Sequence, residues 1–177
     1  MTGSSAGKPV ETVISEQALE AAITDLAARL KPRMDGDWSL VSILIGATPF
    51  TTDLMKALAR IDVHPVLDVL WLESYRDARE SSGRVVVRAD LSRPVQGRGV
   101  LVVDDVFDTG RTLSFARQHM LAKGARDVIT CALAVKPGAP KDGVDFHAVE
   151  TPDRFLVGYG MDDAGRYRGL PYIGAVD

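Results

Sequence analysis

The chain has 177 residues, 46% of them apolar and 25% charged, and a net charge of −3. That is enough for one domain with a sizeable core, and too acidic for nucleic acid to be expected as the main partner. It contains no apolar run long enough to span a membrane, its N-terminus MTGSSAGKPVE lacks the apolar core of a secretory signal, and its single cysteine, Cys131, rules out an intrachain disulfide; together these predict a cytoplasmic protein.

Residues 1–12 read as a flexible tail ahead of a single domain over 13–177. Leu19, Ile23, Leu26 and Leu30 lie on one helical face, with Ser15 as a good N-cap before them and Pro32 just past their end. The apolar run at 40–45 predicts a strand. Thr48 as N-cap and Pro49 at the first helical position then open a second helix, with Phe50, Leu54 and Leu58 on its buried face. Strands are predicted at 66–72, 85–87, 100–103 and 128–135, and a helix at 111–123 stopped by Gly124. Cys131 falls within the last of these strands and reads as a small core residue. Alternating strand and helix predict an α/β domain with a central parallel sheet flanked by helices. Two segments break the alternation: the polar stretch ESYRDARESSG at 73–83, and an aromatic, Gly-rich tail from Pro152.

The most informative segment is VLVVDDVFDTGRTL at residues 100–113. A buried strand runs into two acids, Asp104 and Asp105, and then into a loop of small and hydroxyl residues that opens a helix. Ligands of open α/β sheets bind at the carboxyl edge of the strands, and a helix N-terminus attracts phosphate. A carboxylate accepts two hydroxyl hydrogen bonds, which suits a vicinal diol. The guest expected here carries both a diol and a phosphate, as ribose 5-phosphate does. Thr109, Gly110, Arg111 and Thr112 would cradle the phosphate, with Gly110 permitting close backbone approach. Of the acid pair, one faces the ligand with the other behind it, or both meet the diol.

This segment resembles the phosphoribosyl pyrophosphate (PRPP) motif of the type I phosphoribosyltransferases. The tail PDRFLVGYGMD at 152–162, followed by YRGLPYIG at 167–174, resembles the C-terminal hood of bacterial hypoxanthine phosphoribosyltransferases. The resemblance implies that fold: a core over about 35–136, a mobile lid over about 73–93, and a small hood over about 137–177 joined by the N-terminal segment. It implies transfer of the phosphoribosyl group of PRPP to hypoxanthine or guanine, with Mg²⁺ as cofactor and a homodimer or homotetramer as the assembly. Within it, Asp104 and Asp105 match the residues that meet the ribose hydroxyls, often through the metal, and Asp108 matches the acid/base group beside the purine. Lys136 matches the donor to O6 of a 6-oxopurine, a sensible pairing because a lysine only donates and O6 only accepts. Phe155 matches the ring stacked on the base, and Leu156 the residue whose backbone meets the base edge. Asp162 matches a carboxylate near the metal, and Arg168 a cation for pyrophosphate. Ser74 and Tyr75 match a pair on the lid that excludes water during reaction, followed by Arg76, Arg79, Arg84 and Arg88. Gly46 matches a loop whose amides touch pyrophosphate, but Ile45 stands where the purine-salvage members carry lysine.

Two other readings share these residues. One is an RNA-binding attenuator of the same fold, whose motif also reads Asp-Asp-Val and Thr-Gly-Arg-Thr, so Arg111 suits both. Asp108, the hood residues Phe155, Asp162 and Arg168, and the acidic charge favour the purine enzyme. The other is a relative that prefers xanthine or guanine, a choice that rests on contacts to C2 of the base.

Overall fold

Apolar runs in this chain become the strands of a sheet whose central members are buried on both faces. The computed structural model describes residues 9–75 and 84–176. In chain order the elements are β1 (Glu11–Ile14), α1 (Glu16–Leu30), β2 (Trp38–Leu44), α2 (Thr48–Ala59), β3 (Val66–Tyr75), β4 (Arg84–Ala89), β5 (Gly99–Phe107), α3 (Arg111–Ala122), β6 (Asp127–Val135), β7 (Phe146–Glu150), β8 (Phe155–Val157) and β9 (Ile173–Val176). Six of the strands form one sheet in the order β4-β3-β2-β5-β6-β7. In β5, Leu101 and Val103 join the core beneath α1 and α2, while Val100 and Val102 join the core beneath α3. All four are inaccessible to solvent, as a strand covered by helices on both sides requires.

The predicted α1 forms as expected: the Ser15 side chain accepts the Ala18 N–H, and Leu19, Ile23, Leu26 and Leu30 are buried. Several expectations need correction. The sheet is mixed rather than wholly parallel, because β4 runs antiparallel to β3. Thr48 is the first helical residue of α2 and not its N-cap; its hydroxyl donates backward to the Ile45 carbonyl at 2.8 Å. The tail expected over residues 1–12 gives way at Glu11 to β1, which pairs with β9. The main sheet also extends past residue 136, because β7 pairs with β6 in parallel. Asp145 fixes that extra strand by accepting the Thr130 N–H at 2.7 Å and the Arg117 guanidinium at 2.5 Å.

From the central pair β2 and β5, the chain moves outward in opposite directions, to β3 on one side and β6 on the other. The crevice at the carboxyl ends of such a pair is where open α/β sheets bind ligands. Above it stands the second sheet, three antiparallel strands in the order β1-β9-β8. Among the described residues, no helix is long and apolar enough to cross a membrane.

Candidate active site at the β2–β5 switch point

Asp104 and Asp105 lie inside β5, which continues through both acids to Phe107. Each carboxylate accepts the next backbone N–H, Asp104 from Asp105 at 3.0 Å and Asp105 from Val106 at 2.8 Å. Asp104 is only 7% exposed. Burial, and then the charge of Asp105, push its carboxyl well above the usual carboxylate range. Burial also raises Asp105, against the backbone bonds it accepts and the nearby Arg168 charge. Two desolvated acids side by side suit a partner that brings hydroxyl donors or positive charge.

This electrostatic arrangement yields a stability prediction. A carboxyl whose folded-state pKa is raised stabilises the fold only while protonated, so its cost grows as pH climbs above the ordinary carboxylate range. Asp104→Asn keeps an acceptor for the Asp105 N–H and removes that cost. Thermal scans should show a gain on the order of 1 kcal/mol at neutral pH, narrowing towards about pH 4 where Asp104 is itself protonated. A melting temperature that stays level at neutral pH would contradict the cost assigned to this carboxylate.

Beyond Phe107 the chain turns through the exposed residues Asp108 and Thr109 to Gly110, whose φ of 74° is left-handed. Gly110 is the N-cap of α3, and no side chain caps that helix. The first-turn N–H groups of α3 therefore receive no cap from the N-cap residue, the arrangement in which a helix start can take an anion.

The second arm of the crevice follows β2. Ile45, Gly46 and Ala47 turn into α2, and the Leu44–Ile45 peptide is cis. The Ile45 side chain is exposed. Gly46 lies directly against Asp105, since a Cβ there would be 1.7 Å from its Oδ2. The hood reaches the same loop: a Cβ on Gly160 would be 1.9 Å from the Gly46 carbonyl oxygen. Arg168 donates to the Gly160 carbonyl and to Asp162, both at 2.6 Å.

The third arm is the end of β6. The Lys136 N–H donates to the Phe107 carbonyl at 3.0 Å, which sets Lys136 beside the start of the Asp108 loop. The Thr151 N–H donates to the Val135 carbonyl, and four residues later Phe155, 55% exposed, opens β8. Leu156 is buried, with its backbone in register with Ala175.

Asp104, Asp105, Asp108, Thr109, Gly110, Arg111, Thr112, Gly46, Lys136 and Arg168 are therefore gathered at one edge of the sheet. Asp162 does not join Asp104 and Asp105 as a three-carboxylate site: among the described residues no group of three potential ligands could hold a metal. Its carboxylate is engaged by Arg168 and by the Gly165 N–H at 2.6 Å. The backbones of Ser74 and Tyr75 end β3, but their side chains, and the lid residues at 76–83, lie outside the described residues. Tyr159, in the tail that resembles the hood, is also engaged. In the structure its hydroxyl donates to Asp53 of α2 at 2.5 Å, a pairing that no local pattern signals.

A phosphoribosyl transferase domain model matches residues 10–164. The chain belongs to the phosphoribosyltransferase family. Among curated relatives, the bifunctional protein TilS/HprT of Listeria innocua is 40% identical over 93% of the chain, which spans only about a quarter (25%) of that protein's length. The hypoxanthine-guanine phosphoribosyltransferase of Bacillus subtilis is 36% identical, over 94% of this chain and 92% of its own. Among solved structures, a hypoxanthine-guanine phosphoribosyltransferase from Bacillus anthracis superposes with a TM-score of 0.87 at 29% identity, covering 97% of this chain and all (100%) of the other. A hypoxanthine phosphoribosyltransferase from Staphylococcus aureus gives 0.86 at 29% identity, covering 94% of this chain and 91% of its own. The phosphoribosyltransferase fold read from the PRPP-like motif is thus the fold of the chain.

Proposed function

We propose that this chain transfers the 5-phosphoribosyl group of PRPP to a 6-oxopurine, hypoxanthine or guanine, giving the nucleoside 5′-monophosphate and pyrophosphate. The observation that carries the reading is the placement of Lys136 against the Phe107 carbonyl, beside the Asp108 loop. That backbone bond brings the end of β6, where a donor-only lysine stands, against the start of the loop that carries Asp108, and a 6-oxopurine offers an acceptor to the first side chain and a dissociable ring proton to the second.

The remaining roles follow from position. The α3 N-terminus and Thr109 to Thr112 take the 5′-phosphate. Asp104 and Asp105 take the ribose hydroxyls. The Gly46 loop and Arg168 take pyrophosphate, and the exposed Phe155 ring stacks on the base. As the bond from C1′ to pyrophosphate breaks, pyrophosphate leaves with the electron pair and positive charge grows on the sugar. Nearby carboxylates stabilise that charge. A ring nitrogen of the base bonds C1′, and its proton passes to Asp108. Ser74 and Tyr75 on the lid exclude water from this step. Asp104 and Asp105 would hold Mg²⁺, which would neutralise charge on the departing pyrophosphate. Cys131, buried and free, fits an enzyme of the reducing cytoplasm.

The test supplies PRPP and Mg²⁺ with hypoxanthine, guanine, xanthine, adenine or uracil and follows pyrophosphate release. Turnover is expected with hypoxanthine and guanine, and adenine should be slower by about 10⁴-fold, as when a buried donor loses its acceptor. Turnover with none of the bases would overturn the enzyme reading, and turnover with adenine alone would overturn the role of Lys136.

We also propose that the chain self-associates through β3, where Leu67, Val69 and Trp71 alternate along one exposed apolar face. Trp71→Lys should then shift the sedimentation coefficient to that of a monomer. A wild-type chain that already sediments as a monomer would end this proposal.

A further inference from the structure

Three consecutive residues of the hood turn have left-handed backbones: Gly158 at φ 87°, Tyr159 at 49° and Gly160 at 102°. Glycine adopts that region freely, but a bulky residue does so only where its surroundings hold it. Tyr159 is held at both ends. Its N–H donates to the Leu170 carbonyl at 2.9 Å, and its hydroxyl donates to Oδ2 of Asp53 at 2.5 Å. Asp53 sits in the second turn of α2 and takes Lys56 on its other oxygen at 3.0 Å. Burial, and then the bond to Asp53, push the Tyr159 hydroxyl far above its ordinary pKa, so it remains a donor.

What this bond holds in place lies next to it on each side. On α2, the same helix begins at Thr48, directly after the Gly46 loop. On the hood, the next residue is Gly160, packed against the Gly46 carbonyl and the Pro49 ring. Gly160 is clasped to Arg168 by two bonds, its N–H to the Arg168 carbonyl at 2.9 Å and its carbonyl from the guanidinium at 2.6 Å. One hydroxyl–carboxylate bond therefore registers the hood against α2, and with it Arg168 against Gly46. A cleft of about 430 Å³ runs along the outer side of this contact, lined by Glu16, Glu20, Lys56 and Arg60 as well as by the pair itself. The bond is thus bordered by solvent and is not simply part of the apolar core.

We infer that Asp53 and Tyr159 are positioning residues for pyrophosphate: their bond sets the spacing between the Gly46 loop and the Arg168 guanidinium. This rests on the proposed function, which gives those two groups to pyrophosphate. Neither residue touches substrate. Their effect belongs to the pyrophosphate end of the site and leaves the base end, at Lys136 and Phe155, unchanged.

The test compares Tyr159→Phe, Asp53→Asn, Asp53→Ala and the Tyr159→Phe/Asp53→Ala double variant in the full chain. Pyrophosphate binding is measured by titration calorimetry, and KM for PRPP and for hypoxanthine by turnover. Tyr159→Phe and Asp53→Ala should each weaken pyrophosphate binding and raise the PRPP KM by about tenfold, the scale of a lost hydrogen bond to a charged group. The hypoxanthine KM should stay level. Asp53→Asn still offers an amide oxygen to the hydroxyl and should stay within about twofold of wild type. The double variant should be no worse than either single one, since both remove the same bond. Unchanged pyrophosphate binding in Tyr159→Phe, or equal losses for PRPP and base, would overturn the inference whatever happens to the melting temperature. Calorimetry needs no turnover, so the two readings fail separately. A wild-type chain that turns over no base ends the enzyme reading, while tenfold weaker pyrophosphate binding in Tyr159→Phe would still support the latch.

Discussion

Asp108→Asn is expected to lower kcat by about two to four orders of magnitude, the range over which a positioned general base contributes, while PRPP binding changes little. Asp108 is an exposed residue of the loop between β5 and α3, just past the Phe107 carbonyl that accepts the Lys136 N–H. Asparagine has nearly the same shape and keeps an oxygen that can bond the local backbone. What it loses is the capacity to take a proton. Because the phosphate cradle starts one residue later, a change in fold would weaken PRPP binding as well as the rate. The decisive measurement is therefore kcat together with the PRPP dissociation constant. An unchanged rate would remove Asp108 from proton transfer, and a parallel loss of both would make its role structural.

Gly46→Ala is the second variant with a large expected effect. The added methyl would lie 1.7 Å from Oδ2 of Asp105 and 2.7 Å from its Cγ, so the loop or the carboxylate must move. Either movement displaces groups assigned to the substrate, and misplacement by about an ångström costs on the order of 100-fold in rate. The expected result is a loss of that size in kcat/KM for PRPP with the far-ultraviolet circular dichroism unchanged. Activity within a few-fold of wild type would mean that Asp105 can rotate away without penalty and has no fixed role.

The strand, loop and helix proposed to take the diol and phosphate were legible because they are contiguous: β5, the Asp108 loop and the start of α3 follow one another, and apolar run, acids and small residues each point to a distinct physical task. The hood was legible only through its resemblance to a known pattern, since its aromatic and glycine residues show no periodicity. β7 went unread because its residues are only half-buried and its place depends on Asp145 meeting Thr130 and Arg117, a contact between distant segments. The same limit applies to Asp162. Sequence marks it as a carboxylate near the site, but only the fold reveals that Arg168 and the Gly165 N–H occupy it. The Tyr159–Asp53 bond spans 106 positions and leaves no local trace. Thr48 was misread for a smaller reason: its hydroxyl had two available partners, and it chose the carbonyl behind it.

The small sheet of the hood has one further consequence. Its edge strand comes from the start of the described chain: Glu11 stands opposite Ala175, and Glu11 also meets Arg154 across the same sheet at 2.7 Å. β9, between them, is the partner of β8, whose first residue is the exposed Phe155. The two ends of the described chain are thus neighbours about one strand spacing apart, and both belong to the sheet that carries Phe155. Trimming a few residues before Ser15 would strip the edge from β9 and loosen the small sheet that carries Phe155. By the same geometry, a short peptide joining the two ends would preserve that sheet, so the backbone could be reopened at a distant surface loop as a circular permutant.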